Sequence, residues 1–131
     1  MRRLLLLVSL AAVLVPSATA SEKRGFAFGR TGGSIRPFTV SISNDGLVRV
    51  FGAAEVARTK LTVLQLAKLN RAASLMRFTS LPEKTDCPGT LPDVALTYIR
   101  VGSYTVRVHG TCVAQYARLW KALGAAVKLS A

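Results

Sequence analysis

The sequence predicts an α+β domain: an antiparallel sheet of at least four strands, built from two hairpins, with two amphipathic helices packed on one face. Three observations lead there. Phe38 to Phe51 and Val94 to His109 each alternate apolar and polar residues with period two about a turn. Val63 to Arg77, and the segment that opens at Cys112, instead repeat apolar residues at three- and four-residue steps. Every one of these units is apolar on one side only, so each needs another to cover it, and helices on one face of a sheet meet that need.

The chain opens with Met1-Arg2-Arg3 and an apolar run from Leu4 to Val15, followed by Ala18-Thr19-Ala20. A basic head, a short apolar stretch and a small-x-small site make a cleavable signal peptide over 1–20, with cleavage before Ser21. The competing reading is a retained anchor, but the run falls short of the about 20 residues that span a bilayer. The expectation is a protein that is secreted or held in the periplasm or cell envelope, with no stable membrane span after cleavage. Residues 21–131 then have the length of a single small domain.

Without Arg2 and Arg3 the 18 Lys and Arg become 16, set against 6 Asp and Glu, so the domain stands near +10. Such a charge favours encounter with wall polymers, acidic lipid head groups, acidic proteins or stray nucleic acid, and it equally serves plain solubility. A secreted setting argues against nucleic acid as the partner.

In order along the chain, Gly25 to Arg30 alternates weakly and suggests a first strand, and Thr31-Gly32-Gly33-Ser34 is a turn. In the first hairpin Phe38, Val40 and Ile42 alternate with Thr39, Ser41 and Ser43. A loop closed by Gly46 in the left-handed region pairs Ile42 with Val48 and Val40 with Val50, keeping the apolar side continuous. A two-residue loop would set Ile42 against Arg49 and spoil it. The opposite side then carries Leu47, Arg49 and Phe51, and the two apolar members suggest that a partner or the Phe26 segment covers part of it.

A short extended piece is expected near Glu55 to Arg58. Thr62 is placed to cap the helix Val63 to Arg77, whose buried stripe is predicted as Val63, Leu66, Leu69, Ala73 and Met76. Phe78 to Pro92 reads as irregular, with Pro82 stopping the helix. Glu83, Asp86 and Asp93 lie in or beside it and read as turn formers, since no second group of ligands would complete a metal site. The second hairpin turns at Gly102-Ser103, which sets Thr97, Ile99 and Val101 against Val108, Val106 and Tyr104 on the inner side. Its outer side carries Tyr98, Arg100, Arg107 and His109. The last helix buries Val113, Tyr116, Leu119, Trp120, Leu123 and Val127.

Cys87 and Cys112 are the two cysteines, and an oxidising compartment predicts a disulfide between them. A catalytic inventory is short. His109 is the single histidine, and no His-Glu-x-x-His, paired metal cysteines or nucleophile elbow occurs. The expectation is a protein that is not an enzyme, with no catalytic site, cofactor or metal. The candidate binding surface is the outer sheet side with Arg49, Phe51, Tyr98, Arg100, Arg107 and His109, offering cations for charge and rings for stacking.

The layout resembles that of emfourin-type proteins, small bacterial inhibitors of thermolysin-like metalloproteases. The likeness rests on the Gly32-Gly33 turn, the alternating strand, Leu61-x-x-Leu64 leading to Phe78-x-x-Leu81-Pro82, the hairpin from Asp93 through Tyr98, and the terminal amphipathic helix. It spans nearly all of 21–131. The cysteine pair, the strong basic charge and the lack of a proline opening the last helix depart from it. The resemblance implies the same α+β fold and an inhibitor acting through a surface, and it assigns no inhibitory residue. Three readings are thus expected: a secreted non-enzymatic binding domain of inhibitor type, a basic anion-binding protein that meets wall polymer, acidic lipid or nucleic acid through the arginine and aromatic side of its sheet, or a structural or envelope-associated protein with no discrete site.

Overall fold

The computed structural model describes residues 24–131, so the predicted leader, its cleavage site and the start at Ser21 lie outside the described residues. Strands β1 (Phe26–Thr31), β2 (Phe38–Ile42) and β3 (Val48–Gly52) precede a two-residue strand β4 (Glu55–Val56) and helix α1 (Val63–Leu75). A 3-10 turn (Phe78–Ser80) leads to β5 (Lys84–Asp86), the hairpin β6 (Leu96–Val101) and β7 (Tyr104–His109), helix α2 (Ala114–Val127) and β8 (Leu129–Ser130). Six strands form one sheet in the order β3-β2-β1-β6-β7-β5, and β4 pairs with β8 apart from it.

Both hairpins have the expected registers. Ile42 faces Val48 and Val40 faces Val50, while Thr97, Ile99 and Val101 face Val108, Val106 and Tyr104. At the first turn Gly46 donates its N–H to the Ser43 carbonyl (3.0 Å), and its φ is +94°. A side chain there would also drive a Cβ to 2.4 Å from the Leu61 carbonyl oxygen, so position 46 admits only glycine.

Two features differ from the expected sheet. The weak strand at Gly25 to Arg30 does not cover the outer face; as β1 it lies in the middle of the sheet and joins the hairpins, pairing with β2 on one side and β6 on the other. The sheet is also mixed rather than wholly antiparallel, because β5 runs parallel to β7. The cause is topological. β6 returns antiparallel to β5 but one place away, and β7 fills the gap antiparallel to β6, which leaves it parallel to β5.

Helices α1 and α2 lie side by side over one face of this sheet and close a single core around Phe26, Phe28, Val40, Ile42, Ile99, Val106, Leu119 and Leu123. The Thr62 hydroxyl accepts from the Gln65 N–H (3.1 Å) and the Gln65 side chain accepts from the Thr62 N–H (2.8 Å), a complete capping box. Leu66, Leu69 and Ala73 are buried as expected, but Val63 is 71% exposed. Leu61, just ahead of the cap, takes the buried place at that end of the helix, and the chain turning through Thr62 aims Val63 outward. The helix also stops at Leu75 rather than Arg77, which adopts the left-handed conformation that ends it.

On α2 Tyr116, Leu119, Leu123 and Val127 are buried as predicted, while Val113 is half-buried as the cap of a helix that opens at Ala114 rather than Cys112. Trp120 is half-buried and set edge-on to Phe28 at 5.4 Å between ring centres. Burial pushes the Tyr116 hydroxyl's pKa far up, and this neutral hydroxyl donates to Thr97 Oγ1 (2.9 Å), tying the helix to the sheet.

Cys87 and Cys112 form the disulfide, with their Cα atoms 5.6 Å apart. It fastens the segment after β5 to the junction of β7 and α2. Replacing both cysteines (Cys87→Ala with Cys112→Ala) is expected to lower unfolding stability by roughly 3 kcal/mol in the chain-entropy view. Urea denaturation compared with the oxidised parent checks this, and an unchanged midpoint would mean the bridge is not a staple.

Candidate functional site

Strand alternation sends every second side chain of the sheet away from the helices, and the registers align these into rows. One row runs Arg49, Ser41, Ala27, Arg100, Thr105 across β3, β2, β1, β6 and β7. The next runs Phe51, Thr39, Gly29, Tyr98, Arg107, Lys84 and reaches β5. With strands about 4.8 Å apart, Arg49 and Arg100 stand about 14 Å apart along their row, and Arg107 lies one strand further on.

Between them the face is hollow. A depression of about 240 Å³ is lined by Ala27, Thr39, Ser41, Tyr98, Arg100, Thr105 and Arg107. The hollow exists because the central strand is small on this side: Ala27 is buried and Gly29 has no side chain. Tyr98 lies across Gly29 and shares a short hydrogen bond with the Thr39 hydroxyl on the far side of β1. A Cβ at position 29 would sit 2.8 Å from the Tyr98 hydroxyl oxygen and 2.1 Å from the Phe38 carbonyl oxygen. The ring is therefore a fixed wall of the hollow and not a loose stacking platform.

The hollow presents two guanidinium groups (Arg100 and Arg107) and hydroxyls from Thr39, Ser41 and Thr105, with Arg49 beside it and no carboxylate in its lining. Guanidinium forks and hydroxyl donors facing one space suit phosphate, sulfate or carboxylate oxygens. Among the described residues the one ion-pair contact is that of His109 with Asp86, at 3.7 Å, so Arg49, Arg100 and Arg107 are not engaged by acids there.

Of the six residues proposed from the sequence, Tyr98, Arg100 and Arg107 line the hollow and Arg49 flanks it on the same face. Phe51 shares the face at its β3 edge and is 61% exposed. His109 stands apart. Its Nε2 donates to the Val94 carbonyl (2.9 Å) while Nδ1 faces Asp86, so the ring braces the loop between β5 and β6. Sequence reasoning missed Ala27, Gly29, Thr39, Ser41 and Thr105 as parts of the site. The signal was present as small and hydroxylated outward positions, but it means something only once β1 is known to be central.

No group of three or more His, Cys, Asp or Glu side chains comes together among the described residues, and no helix among them is long and apolar enough to cross a membrane. No protein family, curated protein or solved structure matches this chain. The emfourin-type resemblance accordingly rests on the residues that suggested it.

The packing of the hollow makes a stability prediction. Gly29→Ala is expected to cost about 1–3 kcal/mol because its methyl meets backbone, and Tyr98→Phe about 1 kcal/mol through the lost hydrogen bond to Thr39. Denaturant unfolding of both variants checks this, and a Gly29→Ala variant less destabilised than Tyr98→Phe would contradict the geometry.

Proposed function

We propose that this protein is a secreted, non-enzymatic binding domain that receives anionic groups on the open face of its sheet. One observation supports this above the rest: Arg100 and Arg107 line, and Arg49 flanks, a hollow with Ala27 at its floor, Tyr98 over Gly29 as its wall and three hydroxyl groups at its edge, with no acid in its lining. An ordinary sheet surface would intersperse both charge signs and fill its centre with larger side chains. The disulfide suits the oxidising compartment to which a leader would send the chain. The ligand class is a phosphorylated, sulfated or carboxylated polymer, with the guanidinium groups supplying attraction and the hydroxyls supplying hydrogen bonds.

Linear polyphosphate serves as a probe. Its affinity is expected to fall steeply with added salt as counterions compete, and the triple variant Arg49→Ser, Arg100→Ser, Arg107→Ser is expected to lose at least about tenfold in low salt. Salt-insensitive binding, or a triple variant equal to the parent, would refute the proposal.

A second reading, a surface-acting protease inhibitor, is favoured by the loop between β5 and β6. Leu91 stands 64% exposed at its crest. The loop is held by the disulfide at Cys87, by Thr90 Oγ1 donating to the Cys87 carbonyl (2.8 Å), by the Ser34 N–H donating to the Asp93 carbonyl (3.0 Å), and by His109 at Val94. A braced loop with an apolar crest binds a protease cleft at low entropic cost. Titrating a thermolysin-type protease with the oxidised protein is expected to give stoichiometric inhibition with the chain uncut, weakened by Leu91→Ala. Digestion of the chain, or full residual activity, would remove this reading for that target.

A further inference from the structure

The outer side of α1 holds a second, differently built cationic surface. Val63, Leu64 and Leu75 are 71%, 66% and 73% exposed, although the opposite side of the same helix is packed into the core. Leu64, Lys68, Arg71 and Leu75 follow one another at steps of four, three and four, which puts them in one stripe facing away from the sheet. A helix with leucines on its buried side and again on its exposed side has an apolar surface that nothing among the described residues covers.

Charge selects the occupant. Neither α1 nor α2 contains a single Asp or Glu, and Arg118 and Lys121 on α2 and Lys128 at its C-terminal end add exposed cations to the helical layer that holds Lys68 and Arg71. Like charge disfavours a second copy of the chain docked through this side. The stripe is also convex, whereas an apolar anchor in a protein interface is usually met by a pocket. Leucines set between Lys and Arg on a convex helix match the boundary of an anionic bilayer, where aliphatic side chains enter the acyl edge and cations stay among the head groups.

At the C-terminal end of α1, beside Leu75, a cavity of about 380 Å³ is lined by Arg24, Ser74, Arg77, Thr79 and Ser80 over Phe78 and Val101. Two guanidinium groups and the hydroxyls of Ser74 and Thr79 give a lipid phosphate a place to sit, the Ser80 hydroxyl being committed to the Arg77 carbonyl (2.6 Å). We infer that the helical layer docks on an anionic lipid surface through the Leu64–Leu75 stripe of α1, with Arg24 and Arg77 receiving a head-group phosphate. Because the helices cover one face of the sheet, docking this way leaves the arginine-lined hollow turned away from the membrane.

The test is vesicle flotation with the oxidised chain from Ser21, whose described part contains the whole sheet and both helices. Vesicles of phosphatidylcholine alone are compared with vesicles holding about one-third phosphatidylglycerol, at about 0.05 M and about 0.5 M salt. The expected result is association with the anionic vesicles in low salt and at least about tenfold weaker association with the neutral ones. Leu64→Ser with Leu75→Ser is expected to weaken binding severalfold, and Lys68→Glu with Arg71→Glu to abolish it. Arg24→Ser with Arg77→Ser is expected to weaken it without changing the urea midpoint. The sheet-face triple variant is expected to bind vesicles like the parent, which separates this inference from polyphosphate binding. No association with anionic vesicles in low salt overturns it. So does binding that survives the helix variants, or that is lost only in the sheet-face variant, which would make the sheet the lipid site.

Discussion

Everything in this fold depends on β1 holding the middle of the sheet. A two-stranded hairpin alone is at best marginally stable in water, and the chain makes two of them far apart in sequence. β1 joins them through its inward phenylalanines. Phe28 lies between Val40 and Ile99, and Phe26 between Ile42 and Val101, so each ring packs with one strand from each hairpin. Trp120 of α2 then sets its ring against Phe28 and makes a further tilted contact with Phe38, which seats the helical layer on the same strand. The opposite side of β1 follows from the same alternation. Because the phenylalanines point in, Ala27 and Gly29 point out, and their small size leaves the hollow between Arg49 and Arg100. Core and candidate site are two sides of one strand.

The hairpins were legible because two independent signals agree at each. Period-two alternation names the strands, and the turn residues select the one register that keeps the apolar side continuous. The helices were legible for the same reason, with Thr62 marking a start and the stripe marking the buried side. β1 was only weakly legible: Phe-Ala-Phe-Gly alternates, but its outward residues are neither charged nor strongly polar, so nothing in it distinguishes a central strand from an edge. β5 offers no alternation to read, being Lys84-Thr85-Asp86 between two prolines, and its pairing is decided by where β7 comes to lie.

The site was legible as a face and not as a cavity. Knowing that Arg49, Tyr98, Arg100 and Arg107 point outward requires only local alternation. Knowing that Tyr98 roofs Gly29 and reaches Thr39 requires the order of strands, which is long-range information. His109 shows the reverse error. Alternation assigns it correctly to the outer side, yet its partners, the Val94 carbonyl and Asp86, come from a loop and a short strand with no periodicity of their own.

Net charge alone says little about what a basic domain meets, because cations scattered among acids mainly confer solubility. Their distribution says more. Glu83, Asp86 and Asp93 gather at β5 and the loop after it, Asp45 sits in the first turn, and Glu55 lies on β4. Ser43 donates a hydrogen bond to the Asp45 carboxylate, which holds that carboxyl below its ordinary pKa and spends it on the turn. The hollow and both helices are thus left with cations alone. Long-range attraction draws any polyanion to either surface, so discrimination falls to what stands between the cations at contact distance. On the sheet it is hydroxyl groups over a small floor, which reward a hydrogen-bonding anion and give nothing to an acyl chain. Along the Leu64–Leu75 stripe of α1 it is leucine, which gains from leaving water, and hydroxyl groups meet cations only at its Arg24 and Arg77 end. In the two proposed roles the same charge would serve different ligands on the two faces of the domain, and the side chains between the cations would set which ligand each face takes.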